Sequence, residues 1–330
     1  MVAPPPGDTA RPAVLRAEVD ALRRELPVAE PSESEASRLL FERLERADVD
    51  EMERRLDPEL RSIWDQARPE DRMALALAFC LHVGVEGAAE RTGLSAATPP
   101  EDVHSMGRGP LATGGAFYYA DLVLEALGRG DADPFTLRAG LDFGCSSGRV
   151  VRVLRAVLPD AELSGCDPNA PAVRWASDNI PGVDFSVSPQ EPPLPYDDGS
   201  FDFVYAISIW SHFGEAAAVR WLDEMRRVLR PGGLLVLTVQ GPHSIAYFGS
   251  RGLWYRDDLA QAVADLSASG FHYREAFGKG GDWGVENPEW GMAFLTPEWL
   301  LVHTTPRWAV RWLATGRAEG NQDVVVLQRP

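Results

Sequence analysis

The chain has 330 residues, of which 45% are hydrophobic and 25% charged, and its formal net charge is −17. This composition is typical of a globular protein, and the length allows one large domain or two smaller ones. The acidic balance argues against a nucleic acid or a membrane surface as partner, because both are bound by clustered Lys and Arg. The three cysteines form no Cys-x-x-Cys pair, so neither a disulfide framework nor a metal site is predicted.

The first 105 residues are predicted to form a helical region. Residues 1–12 are Pro-rich, are expected to be disordered, and lack the apolar run of a signal peptide, so we expect a cytoplasmic protein. Met73–Val83 is strongly apolar and predicts a buried helix, and no strand is predicted before about residue 137. We interpret the region as a packing or dimerisation layer, which predicts a homodimer through these helices, with a wall of the substrate pocket as the alternative.

From residue 106 to residue 330 we predict a second domain. Its short apolar strands alternate with helices, which predicts a parallel sheet with helices on both faces, and its last two strands predict a hairpin. Residues 242–295 are rich in aromatics and glycine and are predicted to be an insertion that forms a lid or substrate wall. The predicted strands are Leu137–Phe143, Ala161–Cys166, Val183–Val187, Phe201–Ile209, Leu234–Val239, Trp308–Ala314 and Asp323–Gln328.

The most informative stretch runs from Leu141 to Arg149, with the sequence LDFGCSSGR. It predicts a buried strand, a glycine-containing turn, and a helix that begins at Ser147. Glycines let the backbone approach a ligand, and the N–H groups of a helix start can bind a carboxylate or a phosphate. The spacing from Gly144 to Gly148 is Gly-x-x-x-Gly, not the Gly-x-Gly-x-x-Gly of dinucleotide enzymes. A nucleotide-like cofactor is therefore predicted here.

Four motifs, in this order, resemble the class I S-adenosylmethionine-dependent methyltransferases of the small-molecule type. They are the glycine turn with Asp142, Cys166–Asn169, Leu194–Asp202 and Leu229–Gly233. The resemblance implies a seven-stranded, mostly parallel Rossmann-like sheet with an antiparallel terminal hairpin, and S-adenosylmethionine as the cofactor. The family usually has a further glycine where this chain has Ser146, a change that we expect to be tolerated if this residue keeps a negative φ.

The resemblance also implies the cofactor-binding residues. The turn would pass under the methionine part, Asp167 would accept from the ribose hydroxyls, and Gln190 would reach the adenine edge. Alternatives are a helix cap for Asp167, a plain loop position for Gln190, and a core position for Trp210. In full, the implied set is Asp142, Gly144, Cys145, Ser146, Gly148, Asp167, Pro168, Gln190, Ser208 and Trp210.

His212 and His243 follow the fourth and fifth predicted strands and are the candidate general bases, because an imidazole can take a hydroxyl proton near neutral pH. A helix-capping or packing role is the alternative for each. Arg108, Tyr118 and Tyr119 are candidates for binding the methionine carboxylate, with a surface turn or core aromatic as the alternative.

The predicted reaction is methyl transfer to a small molecule, at a hydroxyl oxygen of a glycosyl or natural-product acceptor. No Asp-Pro-Pro-Tyr or Asn-Pro-Pro-Tyr motif follows the fourth strand, which argues against amide or nucleobase N-methylation as the family performs it. Two alternatives are kept: an NAD(P)-dependent oxidoreductase, which shares the acidic residue after the second strand, and a non-catalytic S-adenosylmethionine-binding scaffold.

Overall fold

The structure is a computed structural model that describes residues 35–103, 105, 109–253, 256–277 and 285–330. The predictions for residues 1–12 and for Arg108 lie outside these ranges. No helix within them is long and apolar enough to cross a membrane.

The N-terminal region is helical, and in the described part of the chain no strand precedes residue 139. The buried helix predicted at Met73–Val83 is confirmed as Arg72–His82. A long helix at Gly109–Arg129 was not predicted. Its first half contains Gly109, Gly114 and Gly115, and glycine does not favour a helix. The helices are α1 Glu35–Phe41, α2 Arg46–Arg55, α3 Pro58–Gln66, α4 Arg72–His82, α5 Ala88–Thr92 and α6 Gly109–Arg129, with short 3₁₀ turns at Pro69–Asp71 and Pro134–Thr136.

Asp121 of α6 holds the start of α1. Its carboxylate accepts a hydrogen bond of 2.6 Å from the backbone N–H of Ala36 and one of 3.3 Å from the hydroxyl of Ser37, both at the start of α1. A helix start leaves its first N–H groups without helical partners, so a carboxylate there stabilises α1. Burial raises the pKa of Asp121 to about 6.

The predicted seven-stranded sheet is confirmed. Its strand order is β3-β2-β1-β4-β5-β9-β8, and β6 and β7 form a separate antiparallel pair. Strands β1 to β5 run parallel, whereas β9 runs antiparallel to β5 and β8 antiparallel to β9. The strands are β1 Ala139–Phe143, β2 Glu162–Asp167, β3 Val183–Val187, β4 Phe201–Ala206, β5 Leu229–Val239, β6 Phe271–Arg274, β7 Met292–Leu295, β8 Ala309–Ala318 and β9 Gln322–Gln328.

Helices cover both faces of this sheet, as the near-continuous apolar strands predict. The remaining helices are α7 Val151–Val157, α8 Ala170–Asn179, α9 Glu215–Val228, α10 Pro242–Arg251, α11 Arg256–Ser269 and α12 Pro297–Thr304. Alternate residues of one strand point to opposite faces, so Val324 and Val326 of β9 join one core and Val325 and Leu327 the other. The first core also contains the N-terminal helices, which therefore pack directly on the sheet.

The aromatic stretch at 242–295 is a folded insertion between β5 and β8. It consists of α10, α11 and the pair β6–β7, in which Phe271 lies opposite Leu295. Residues 254, 255 and 278–284 of this stretch lie outside the described residues. The backbone N–H of Ala293 donates to the carbonyl of Ser211, so the insertion returns next to the segment that follows β4.

Candidate functional site

The turn after β1 has a left-handed backbone at every second residue. Gly144 has a φ of +85°, Ser146 of +49° and Gly148 of +74°. A Cβ atom at position 144 would overlap the side chain of Ile209, so only glycine fits there. The positive φ at Gly148 is incompatible with a helix, and this is why α7 begins at Val151 rather than at Ser147 as predicted.

Ser146 does not keep the negative φ that the sequence analysis expected of it. An L-residue in this region is strained by contact between its Cβ and the following carbonyl. The backbone N–H of Ser146 donates a 2.8 Å hydrogen bond to Oδ2 of Asp167, and this bond holds the turn in its conformation.

Asp167 ends β2 and links two elements. Oδ2 accepts from Ser146, and Oδ1 accepts a 2.8 Å hydrogen bond from the backbone N–H of Asn169, just before α8. The Asn169 side chain, not Asp167, caps this helix by accepting from the N–H of Ala172. Each carboxylate oxygen has two lone pairs, so Asp167 keeps the capacity to accept from a ligand hydroxyl. Burial raises the pKa of this carboxyl group.

Asp142 is the second-to-last residue of β1, just before the turn, and its side chain is buried. Burial raises its pKa to about 7, and the neighbouring Asp167 carboxylate acts in the same direction. The Tyr205 side chain of β4 and the Arg149 guanidinium oppose this shift.

A cavity of about 440 Å³ opens between this turn and the insertion. It lies at the carboxyl ends of β1, β2 and β4, the edge where open α/β sheets bind their ligands. Its volume falls in the range of small-molecule sites. Most of the predicted site residues line it: Asp142, Gly144, Cys145, Ser146, Asp167, Pro168, Gln190, Ser208 and His212.

Three predicted residues do not line this cavity. Gly148 is packed under the turn, where an added Cβ would lie 2.6 Å from Ile180. Trp210 is fully buried among core aromatics, and its indole N–H donates to the carbonyl of Ala218, which corresponds to the core alternative. His243 lies at the start of α10, where Nε2 is 3.1 Å from the carbonyl oxygen of Gly320 in the hairpin turn.

His212 does line the cavity and has a defined orientation. Its Nδ1 is 2.7 Å from the carbonyl oxygen of Gly291. A carbonyl only accepts, so this contact requires a proton on Nδ1, and the neutral ring then carries its basic lone pair on Nε2. The ring also stacks on Trp290, with centroids 4.7 Å apart and planes 29° apart. The structure therefore holds the His212 ring in one orientation at the cavity.

Tyr119 and Arg149 line the cavity beside the turn. The Arg149 guanidinium lies 5.0 Å from the centre of the Tyr119 ring, a cation–π contact. Tyr119 was among the candidates for the methionine carboxylate, whereas Arg149 was missed, although it directly follows the glycine turn. Tyr118 is engaged elsewhere, since its hydroxyl donates to the carbonyl of Arg317.

The segment 285–291 of the insertion lines the cavity with Val285 and Trp290 and is tied to the loop after β3 and to α9. The side-chain oxygen of Gln190 accepts a 3.1 Å hydrogen bond from the backbone N–H of Glu286. Arg220 of α9 donates a 2.6 Å hydrogen bond to Glu289. Phe277, Trp290 and Met292, which also line the cavity, lie in the stretch 242–295 that the sequence analysis expected to form a lid or substrate wall. The sequence did not single out these three positions, because only tertiary contacts bring them to the cavity.

Residues 141–237 match the family model described as a methyltransferase domain. The central segment of the chain is therefore a methyltransferase domain, which confirms the resemblance to the class I S-adenosylmethionine-dependent enzymes. Within the described residues, no group of three or more His, Cys, Asp and Glu could hold a metal ion.

The chain is also similar to individual proteins. It is 35% identical over 134 residues to phthiotriol/phenolphthiotriol dimycocerosates methyltransferase 1 of Mycobacterium ulcerans, covering 39% of this chain and 42% of that protein. It is 29% identical over 133 residues to demethylmenaquinone methyltransferase of Thermotoga maritima, an alignment that covers 40% of this chain and 57% of that protein. Both alignments thus span less than two thirds of the relative. A solved methyltransferase from Methanosarcina mazei is 21% identical over 58% of this chain and 92% of that chain, with a TM-score of 0.41.

The left-handed serine gives a first prediction. Ser146→Gly should raise the free energy of unfolding by about 0.5–1 kcal/mol, because relief of the left-handed strain exceeds the added entropy of the unfolded chain. Urea unfolding of both proteins measures this difference. Ser62→Gly, an exposed position in α3, is the matched control and should lower stability by about 0.5–1 kcal/mol. A loss of stability in Ser146→Gly would contradict the strain.

The buried Asp142 gives a second prediction. Its folded-state pKa of about 7 lies above the ordinary value of 3.8, so its contribution to stability is present at low pH and is lost as the pH rises towards 7. Asp142→Asn has no charge to bury and can still accept hydrogen bonds. The free energy of unfolding of Asp142→Asn minus that of the wild type should therefore rise by about 1–3 kcal/mol between pH 5 and pH 8.

Denaturant unfolding of the ligand-free proteins at both pH values measures this effect. Asp160→Asn, at an exposed carboxylate, is the control and should leave the pH dependence of wild type unchanged. An equal pH dependence in Asp142→Asn and wild type would show that Asp142 titrates normally.

Proposed function

We propose that this protein transfers a methyl group from S-adenosylmethionine to a hydroxyl oxygen of a small-molecule acceptor. The observation that carries the proposal is the glycine turn held on Asp167, at the mouth of a cavity, within a methyltransferase domain. The names of the two relatives specify dimycocerosates and demethylmenaquinone as what they methylate, which supports a small organic acceptor.

The residues beside the turn fit this cofactor chemically. Asp142 and Asp167 offer two carboxylates, which suit the ammonium group and the ribose hydroxyls, and Arg149 offers a cation for the methionine carboxylate. Gln190 lies at the cavity edge where the adenine is expected. Gly144 has no side chain, so its backbone can approach the ligand closely.

When bound, the cofactor supplies an electrophilic methyl group on a sulfonium sulfur. His212 holds its Nδ1 proton on the Gly291 carbonyl and presents Nε2 as the base. The acceptor's O–H bond would break with transfer of the proton to Nε2 as the oxygen bonds to the methyl carbon, whose bond to the sulfonium sulfur would break to leave S-adenosylhomocysteine. Removal of this proton avoids a positively charged oxygen product, and the aromatic wall excludes water from the step.

The three cysteines are free and buried, and this supports the expected reducing, cytoplasmic location. Burial raises the pKa of Cys145 and of Cys166, which keeps both thiols protonated and unreactive. Cys145 therefore serves the site through its place in the turn rather than as a nucleophile.

Ligand binding tests the cofactor. Isothermal calorimetry should show that S-adenosylmethionine and S-adenosylhomocysteine bind and that NAD does not. Asp167→Ala should weaken S-adenosylhomocysteine binding by at least about tenfold, because it removes both the turn's anchor and the acceptor for the ribose. Asp160→Ala is the control for loss of an acidic side chain. Tight NAD binding without any response to the other ligands would favour the oxidoreductase, and cofactor binding without turnover across a broad acceptor panel would favour the scaffold.

A variant at His212 tests the base. Asn can keep a donor to the Gly291 carbonyl but has no basic nitrogen, so His212→Asn should lower kcat by about 10²–10⁴-fold with an unchanged affinity for S-adenosylhomocysteine. His243→Asn, at the histidine outside the cavity, should change kcat less than about threefold. Steady-state production of S-adenosylhomocysteine measures both. A large loss in His243→Asn with normal activity in His212→Asn would reverse the assignment.

A further inference from the structure

The charged side chains of the cavity and most of its aromatic side chains come from different parts of the chain. Among its described lining residues, the charged side chains are Asp142, Arg149 and Asp167, and they come from the ends of β1 and β2 and from the segment that joins β1 to α7. In the proposed function these charges serve the cofactor. The acceptor must therefore be recognised mainly by the rest of the cavity lining.

The part of the cavity lining that comes from the segment after β4 and from the insertion is mainly aromatic. It includes His212, Phe213, Phe277, Trp290 and Met292, of which all but Met292 carry a ring. The ring centroids of His212 and Phe277 lie 5.7 Å apart, and those of Phe213 and Trp290 lie 5.5 Å apart with planes at 72°. We call these five residues the aromatic wall.

The aromatic wall is held in place by backbone contacts. Phe213 and Trp290 pair in an isolated antiparallel bridge, and the N–H of Trp290 donates to the carbonyl of Asn287. The backbone N–H of Gly291 donates to the backbone carbonyl of His212. The Gly291 carbonyl, in turn, contacts Nδ1 of the His212 ring. Rings fixed in this way bind a flat apolar surface without losing much conformational freedom.

The wall offers few partners for a polar acceptor. The Ser208 hydroxyl is already paired with the side chain of Gln322, and Nδ1 of His212 with the Gly291 carbonyl. The several hydroxyls of a sugar would lose water here without gaining partners in the described wall. A carboxylate would face aromatic rings, and none of the five described wall residues offers it a Lys or Arg cation.

We infer that the acceptor is an uncharged molecule with a flat aromatic ring that carries the reacting hydroxyl. This inference rests on the proposed function and narrows its acceptor from glycosyl or natural-product hydroxyls to phenol-type hydroxyls. The ring packs against Trp290, and its hydroxyl points to His212. With the cofactor bound, the phenolic O–H bond would break and its proton would go to Nε2 of His212. The oxygen would form a bond to the methyl carbon as the bond from this carbon to sulfur breaks, which would leave neutral S-adenosylhomocysteine.

The test compares three probes on wild-type protein saturated with S-adenosylhomocysteine. They are 2-naphthol, 6-hydroxy-2-naphthoate, which adds one negative charge, and methyl glucopyranoside. Calorimetry should show at least about tenfold tighter binding of the naphthol than of the naphthoate, and no measurable binding of the glucoside. With S-adenosylmethionine instead, the naphthol should give the fastest production of S-adenosylhomocysteine.

A pair of tryptophan variants locates the binding. Trp290→Ala should weaken naphthol binding about tenfold and leave S-adenosylhomocysteine binding within about twofold. Trp312→Ala, in β8 against Arg129 and away from the cavity lining, is the matched control and should change neither affinity. Thermal unfolding of both variants confirms that they are folded.

The outcomes separate the inference from the proposed function. Equal or tighter binding of the naphthoate or the glucoside, no naphthol binding to the saturated protein, or unchanged naphthol binding by Trp290→Ala would overturn the inference. The inference would also fail if Trp290→Ala lost as much affinity for S-adenosylhomocysteine as for 2-naphthol, because Trp290 would then belong to the cofactor site. A wild-type protein that does not bind S-adenosylhomocysteine would instead contradict the proposed function.

Discussion

Two backbone N–H groups, those of Ser146 and Asn169, share the carboxylate of Asp167, and the site is organised around this pair of hydrogen bonds. They join the turn after β1 to the segment that leads into α8. A buried carboxylate without such partners would be expensive in free energy, so the carboxylate and the turn stabilise each other. This arrangement keeps the backbone of Ser146 in its strained, left-handed conformation.

The parallel sheet then determines what else reaches the turn. Because β1, β2 and β4 run in one direction, the residues that follow them meet at one edge. Asp142 and Asp167 arrive there from adjacent strands, and Ser208 and His212 arrive from the segment after β4. The insertion between β5 and β8 closes the other side, where Gly291 orients the His212 ring. The charged residues beside the turn and the aromatic residues Phe277 and Trp290 thus reach the cavity from two separate parts of the chain.

Local sequence predicted the first of these parts well. Asp142, Gly144 and Asp167 follow apolar strands at recognisable positions, and all three line the cavity. Gly148 was predicted to lie close to the cofactor, but Ile180 and Phe185 fill the space that a side chain at this position would occupy. The strands agree with the predicted ones to within a few residues, except that β5 begins five residues earlier, through its glycine-containing turn, and β8 ends four residues later.

Side chains whose role depends on distant contacts were predicted less well. Trp210 and His212 are two residues apart, yet one is in the core and the other at the cavity. The difference arises because Trp210 points into the packing of α9, whereas His212 turns towards Gly291, which lies 79 residues further along the chain. His243 follows its strand as His212 does, but the hairpin turn at Gly320 binds its ring away from the cavity.

The sequence by itself determined the sheet, the glycine turn and the acidic residue that holds the turn, because these depend on strand periodicity and on backbone conformations that few residues adopt. Only the tertiary structure decided which histidine meets the cavity, where α6 lies, and which aromatic residues of the insertion face the site. Those features depend on contacts between segments far apart in the chain, and no local pattern of residues specifies which distant segment will pack against it.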